Sequence, residues 1–137
     1  MNRVIHFEIH GAEPTRLADF FRGVFGWEVT RWDNPGGEYW LVSTGPAIEA
    51  GKIAGEPGIN GGILTRHGPA PRGGEPVTSF VCTVHVPKVD EYIERAKAAG
   101  GSVAVEKIAI TGLAWLAFCK DPDGNIFGIY EDDPAAV

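Results

Sequence analysis

The chain has 137 residues, of which 44% are hydrophobic and 22% charged, a composition typical of one folded domain that excludes a disordered chain. Its net charge of −6 excludes the basic surfaces that bind nucleic acids or anionic membranes. No signal peptide and no apolar run of about 18 residues is visible, so we expect a cytoplasmic protein outside the membrane. Cys82 and Cys119 lie in apolar, strand-like runs and are expected to be buried free thiols.

The first half of the chain begins with a strand pattern and a helix pattern. Val4–Ile9 alternates apolar and polar residues, which predicts a strand. Pro14–Phe25 has apolar residues at helical spacing, with proline at its first position, and Gly26 ends this predicted helix. Its apolar stripe consists of Leu17, Phe20, Phe21 and Val24. Further strands are predicted at Trp27–Trp32 and Tyr39–Ser43, separated by a turn at residues 33–37.

The second half follows a stretch rich in glycine and proline at residues 67–76, which we interpret as a linker. A strand is predicted at Thr78–Val86 and a helix at Lys88–Ala99, ended by glycine. The remaining strands are predicted at Ser102–Ile108, Ala114–Cys119 and Asn125–Tyr130, and the last two are joined by a turn at Asp121–Gly124.

The two halves repeat one pattern of elements. A shift of 75 residues superposes His10 on His85, Gly26 on Gly101 and Trp40 on Trp115, and a shift of 66 superposes Gly62 on Gly128. The order of elements predicts an α+β fold of two tandem β-α-β-β-β modules within a single domain, at about 1–66 and 77–133. Because each helix covers one sheet face, the other faces are expected to form an open, cup-shaped cavity.

Several segments together carry a family resemblance. They are HFEI at 6–9, EPTRLADFFRGVFGWEV at 13–29, YWLVSTG at 39–45, INGGIL at 59–64, AAGG at 98–101 and KDPDGNIFGIYE at 120–131. In these segments the chain resembles the vicinal-oxygen-chelate superfamily of glyoxalases, bleomycin-resistance proteins and extradiol dioxygenases. Within it, the chain is similar to the bacterial branch of predicted enzymes related to lactoylglutathione lyase. The resemblance implies a glyoxalase-like fold, in which the paired modules form an open curved mixed sheet.

The resemblance also implies where a metal would bind. Metal enzymes of the superfamily hold a divalent ion with one ligand from each of four strands. The corresponding positions are His6, Gly61 or Gly62, Val81 and Gly128. Only His6 has a side chain that can coordinate a metal, so we expect neither a metal nor another cofactor. The alternative is a divalent metal on a shifted set of ligands drawn from His6, Glu8 and His85.

The polar residues of the first strand are the candidate catalytic residues. His6, Glu8 and His10 alternate with apolar residues and share one strand face. Burial in the cup would raise the pKa of Glu8, so Glu8 is the candidate general base and His6 its acid or orienting partner. A solvated strand face without function is the simpler alternative. The expected ligand contacts are His10, Trp40, Gly62, His85, Trp115, Gly128 and Tyr130. At least one of the two tryptophans is nevertheless expected in the core. Glu131 lies on the other face of its strand from Tyr130 and is expected to point outward.

These observations favour a protein that binds a small organic molecule in the cup without the superfamily's metal, as its drug-resistance members do. The alternative is an enzyme: a metal-dependent lyase, isomerase or dioxygenase with a shifted ligand set, or a metal-free catalyst that uses Glu8 and His6. A homodimer is compatible with the sequence, because modules of this kind also pair between chains.

Overall fold

The computed structural model describes residues 2–34, 36–45, 58–72, 75–76, 80–120 and 125–137. The first five elements are β1 (Val4–Gly11), α1 (Pro14–Phe25), β2 (Glu28–Asn34), β3 (Gly37–Ser43) and β4 (Asn60–Thr65). The next five are β5 (Val81–His85), α2 (Val89–Ala98), β6 (Ser102–Ile110), β7 (Ala114–Lys120) and β8 (Ile126–Asp132). This order confirms the α+β class and the repeated β-α-β-β-β pattern.

The chain divides into two units. The first unit is His6–Phe80, and the second is Val81–Val137 together with Met1–Ile5. The turn predicted at Asp121–Gly124 and the strand residues predicted from Thr78 to Ser79 lie outside the described residues. Within the described part of the chain, neither helix is long and apolar enough to cross a membrane.

In the first unit the strands are hydrogen-bonded in the order β2-β3-β4-β1. The outer pairs β2–β3 and β3–β4 are antiparallel, whereas β1 and β4 are parallel, so the strands form a mixed sheet. The register places Glu8 of β1 beside Gly62 of β4, and Gly62 beside Leu41 of β3. Because register partners point to the same side of a sheet, this pairing decides which side chains share a face.

Helix α1 covers one face of these strands. Its buried residues Ala18 and Phe21 pack with Phe7, Ile9 and Ile63 in the first hydrophobic core. The predicted apolar stripe of α1 is wrong at two positions, since Phe20 is 54% exposed and Val24 is 56% exposed. The helix contacts the strands along its Pro14, Ala18 and Phe21 side, which turns the Phe20 and Val24 side toward solvent.

The second unit repeats this arrangement. Its strands follow the order β5-β8-β7-β6, with β5 and β8 parallel and the other pairs antiparallel. Val89 and Ile93 of α2 pack with Ala117, Cys119 and Ile129 in the second core. The matching topology of the two units supports the internal repeat.

Both cysteines are free thiols as predicted, but only Cys119 is buried and Cys82 is exposed.

Glu131 of β8 corrects another expectation, because it does not face solvent. The residue is only 4% exposed and lies on the α2 side of the strand. Its carboxylate accepts a hydrogen bond from the backbone N–H of Val89 at 2.8 Å and one from the Lys88 ammonium at 2.6 Å. Lys88 has no side-chain capping bond of its own, so Glu131 satisfies one of the free N–H groups at the start of α2.

Replacing Phe21 by alanine tests the position of α1. We expect Phe21→Ala to lower the free energy of unfolding by about 3–5 kcal/mol, because a buried aromatic ring is removed. The matched variant Phe20→Ala should cost about 1 kcal/mol or less, since its ring is half exposed. Urea denaturation measures both values, and equal losses would contradict the assigned helix orientation.

The Glu131 contacts predict a pH dependence of stability. Burial works to raise the pKa of Glu131, but the hydrogen bonds from Lys88 and Val89 outweigh it and hold the pKa below 4.5. The resulting stabilisation is complete above about pH 4.5 and is lost as the pH falls through the lowered pKa. Glu131→Gln should cost about 1–3 kcal/mol at pH 7 and should flatten the acid side of the stability profile.

Urea denaturation between pH 7 and pH 3 measures this profile. Glu94→Gln is the control, because it removes an exposed carboxylate from α2, the helix whose first turn Glu131 contacts. An unchanged acid slope in Glu131→Gln would show that this carboxylate does not stabilise the fold.

Candidate functional site

The face of the first unit that α1 leaves uncovered carries the candidate site. On β1 the alternation places Phe7 and Ile9 in the core, so His6, Glu8 and His10 lie on the opposite face. The register with β4 and β3 adds Gly62 and Tyr39 to that face. The strand parity predicted from the sequence therefore agrees with the structure for His6, Glu8 and His10.

A chain of hydrogen bonds connects the three polar groups of this face. The Tyr39 hydroxyl is hydrogen-bonded to the Glu8 carboxylate and lies 2.8 Å from Nε2 of His6. A tyrosine hydroxyl has one proton, so donation to Glu8 leaves its oxygen to accept the Nε2–H of His6. The arrangement therefore holds His6 as the tautomer protonated at Nε2. Sequence reasoning did not identify Tyr39 as a residue of this face.

Burial shifts the protonation equilibria of all three groups. It raises the pKa of Glu8, and the hydrogen bond from Tyr39 opposes this rise in part. Burial lowers the pKa of His6. Burial and the adjacent Glu8 carboxylate raise the pKa of Tyr39 far above its usual range. Near neutral pH the imidazole and the phenol are therefore uncharged, and burial makes the Glu8 carboxylate a stronger base than an exposed carboxylate.

Gly62 makes room for this arrangement. A Cβ atom at position 62 would overlap the Tyr39 hydroxyl and the adjacent ring carbons. Any larger residue would therefore displace the hydroxyl from between His6 and Glu8. Gly62 lies on the predicted face and leaves space for Tyr39 there, whereas its contact with a ligand stays a prediction.

Apolar side chains continue the same face beyond Tyr39. Trp32 of β2 is the register partner of Tyr39, and their rings meet edge to face with centroids 5.9 Å apart. Leu41 pairs with Gly62, and the exposed fractions of Trp32 and Leu41 are 42% and 44%. Sequence reasoning missed both residues, although cross-strand pairing of β2 with β3 would have found them. The face therefore combines a polar row with an exposed apolar surface.

The two predicted tryptophan contacts need correction. Trp40 is the register partner of the buried Ile63 and packs against the first core. Trp115 packs against the second core, beside Glu131. Both indoles thus lie on the helix-covered side of their strands, because their parity is that of the core residues. Neither lies on an open face, where a ligand contact was expected.

The second unit has a polar group of its own on the uncovered side of β5 and β8. His85 Nε2 lies 2.8 Å from the Asp132 carboxylate, and Tyr130 is hydrogen-bonded to the same carboxylate. The rings of His85 and Tyr130 have centroids 5.9 Å apart. Gly128 is buried, and a Cβ there would overlap the Thr83 hydroxyl. The predicted residues His85, Gly128 and Tyr130 therefore lie on one face of their unit.

His10 lies at the end of the first-unit polar row. Its pKa is lowered by burial and by the positive charges of His67 and Arg66. The backbone carbonyl of His10 accepts a hydrogen bond from the Arg66 guanidinium at 2.8 Å. His10 is therefore held beside positive charge, in contrast to His6, which is held by Tyr39.

Comparison with known proteins identifies the family. The family model of the glyoxalase-like domain matches residues 6–130. The chain belongs to this family. The anthracycline biosynthesis protein DauV of Streptomyces sp. (strain C5) is 27% identical over 128 residues, which are 90% of this chain and 45% of DauV. The glyoxalase-like chain thus spans about half the length of this curated relative.

Solved structures show the same fold. A glyoxalase/bleomycin resistance protein/dioxygenase superfamily member from Vibrio splendidus 12B01 has a TM-score of 0.61 at 18% identity, covering 96% of this chain and 100% of that chain. Methylmalonyl-CoA epimerase from Mycobacterium tuberculosis has a TM-score of 0.62 at 14% identity, covering 96% and 88%. At these identities the similarity establishes the fold.

The residues present do not fit the superfamily's metal site. Of the corresponding positions, Gly62, Val81 and Gly128 have no side-chain donor atom. In the first unit the Nε2 atom of His6 is already engaged in a hydrogen bond with the Tyr39 hydroxyl. Among the described residues, no group of three or more His, Cys, Asp or Glu side chains is placed to hold a metal ion.

Tyr39→Phe tests the hydrogen-bond chain. The Tyr39 hydrogen bond lowers the pKa of Glu8, so its removal should raise that pKa further. Carbon-13 NMR titration of the Glu8 carboxyl in protein labelled at glutamate measures the shift. Tyr130→Phe is the control, because the Tyr130 hydroxyl is hydrogen-bonded to Asp132 in the second unit. Its removal should leave the pKa of Glu8 unchanged. An unaltered Glu8 titration in Tyr39→Phe would exclude the bond.

Proposed function

We propose that this glyoxalase-like protein binds a small organic molecule, without a metal, on the first-unit face that carries His6, Glu8 and Tyr39. The observation that carries the proposal is the hydrogen-bonded chain of these three side chains around a largely buried carboxylate. Polar groups held in fixed geometry beside apolar surface are typical of sites that orient an organic ligand.

The composition of the face indicates the kind of ligand. Trp32 and Leu41 present exposed apolar surface next to Tyr39. A flat ring system would pack against this surface, since aromatic faces and edges attract one another. Hydroxyl groups of the same molecule would donate hydrogen bonds to the acceptor atoms of Glu8 and His6 that Tyr39 leaves free. The proposed ligand is therefore planar and apolar on one side and polar at one edge.

The curated relative supports this ligand class. DauV is named as an anthracycline biosynthesis protein, and anthracyclines are planar polycyclic compounds with hydroxyl and carbonyl groups. Its 27% identity extends over 128 residues, which are 90% of this chain. We accordingly propose a planar hydroxylated aromatic compound as the ligand, bound without a cofactor.

A second candidate function is proton-transfer catalysis of the lyase or isomerase type. The raised pKa of Glu8 favours this function, because a carboxylate with a raised pKa is a stronger general base. Tyr39 would stabilise the charge that develops as a carbon–hydrogen bond breaks, and His6 would hold the Tyr39 hydroxyl in place. The fold shared with methylmalonyl-CoA epimerase is compatible with such chemistry.

The binding proposal is tested with alizarin, a planar dihydroxyanthraquinone, on protein purified without an affinity tag. Alizarin should quench tryptophan fluorescence equally well with and without EDTA. Gly62→Ala should weaken binding about tenfold, which corresponds to the loss of about one hydrogen bond, because the new methyl group displaces Tyr39.

Gly23→Ala is the matched control, since a Cβ at that helix position meets no atom within 4 Å. Equal weakening by both alanine variants would show that alizarin binding does not depend on the position of Tyr39. Loss of binding in EDTA, together with one tightly bound divalent ion per chain in elemental analysis, would overturn the metal-free site.

The catalytic candidate has its own readout. NMR in deuterium oxide follows exchange of the acidic carbon-bound hydrogen of methylmalonyl-CoA, which requires a base. Glu8→Gln is nearly isosteric but cannot accept the proton, so it should abolish exchange, while its amide oxygen still accepts a hydrogen bond from alizarin and binding is retained. Exchange at the uncatalysed rate with the unaltered protein would reject this substrate and leave the binding function.

A further inference from the structure

A separate cavity lies beside the start of α1, on the side of the first unit that the candidate site does not use. Its volume is about 310 Å³. It is lined by residues at the end of β1, in the first turns of α1 and just after β4. The residues that matter for its chemistry are Gly11, Glu13, Arg16, Leu17, Phe20 and Arg66.

Two arginines at this cavity have no acidic partner among the described residues. Neither Arg16 nor Arg66 takes part in an ion pair with a described residue, although the chain has 18 acidic and 12 basic residues. Arg66 is nevertheless held in place. Its guanidinium donates to the His10 carbonyl at 2.8 Å and its backbone N–H to the Gly11 carbonyl at 2.9 Å. A positioned guanidinium keeps further N–H donors for an anion.

The remaining wall of the cavity is apolar. Leu17 lies over Gly11, where a Cβ atom would overlap the leucine side chain. The ring of Phe20 is 54% exposed although it borders this cavity. A half-exposed aromatic ring next to two guanidinium groups without an ion-pair partner in the described part of the chain provides apolar contact and charge for one ligand.

The charges of the lining residues define the ligand further. Arg16 and Arg66 each contribute +1 and Glu13 contributes −1, so these residues together have a net charge of +1. One negative charge on the ligand neutralises them. The volume lies at the lower end of the range for small-molecule sites. We propose that this cavity is a second binding site, for a small monocarboxylate whose apolar part packs on Leu17 and Phe20.

Benzoate is the probe for this site, and benzamide is its uncharged counterpart of nearly equal shape. Two-dimensional amide NMR of isotope-labelled protein should show benzoate shifts at Ala12, Arg16 and Arg66, but no comparable shifts with benzamide. Added salt should weaken the binding, because the attraction is electrostatic. Shifts confined to Glu8 and Tyr39 would overturn the second site, and they would report instead on the site of the proposed function.

Variants at the rim of the cavity identify the binding groups. Arg16→Gln should weaken benzoate binding at least about fivefold, because a charge-assisted hydrogen bond to the carboxylate is lost and solvent screens part of its contribution. Phe20→Ala should weaken benzoate binding but leave acetate binding unchanged. Both residues are exposed, and neither change removes a buried group, so folding should persist.

Arg31→Gln is the matched control. It removes the same charge from an exposed position on β2 that does not line the cavity, and benzoate affinity should stay unchanged. Equal weakening by Arg31→Gln and Arg16→Gln would show non-specific attraction and overturn the proposal. Equal affinity for benzamide and benzoate, or no binding of benzoate, would overturn it as well.

Discussion

The alternation of side chains along β1 is the constraint on which the first unit depends. Phe7 and Ile9 must pack beneath α1, because exposing them would forfeit the hydrophobic free energy of the core. A strand cannot bury one set of side chains without turning the intervening set to its other face. The same packing therefore places His6 and Glu8 together on the uncovered face, so the stability of the core and the geometry of the candidate site have one cause.

The two buried glutamates show how their partners decide what a carboxylate can do. Glu131 accepts hydrogen bonds from an ammonium group and from a helix N–H, and its pKa is lowered. Glu8 accepts from a neutral phenol, which compensates burial only in part, and its pKa is raised. Glu131 is therefore held as a structural anion, whereas burial favours the protonated form of Glu8 more than that of an exposed carboxylate.

The repeat preserves the cores of the two units and varies their uncovered faces. With the 75-residue shift, Glu8 corresponds to Thr83, and Tyr39 corresponds to Ala114. The second unit consequently lacks the hydrogen-bond chain of the first and instead joins His85 to Asp132. Packing restricts residues on the helix side of each unit, because volume and polarity must match there. The uncovered side is free of that restriction, so the two units present different chemistry.

Local sequence was sufficient to determine the helices, most strands, the repeated order and the shared face of His6 and Glu8. These features depend on periodicity and on glycine or proline signals within a few residues. Tyr39 joins the site only through pairing between strands, since it lies 33 residues from His6. The orientation of α1, the core position of Trp40 and the anchoring contact of Glu131 likewise depend on contacts between distant segments. Tertiary structure alone decided them, because register and helix rotation are set by packing over the whole unit.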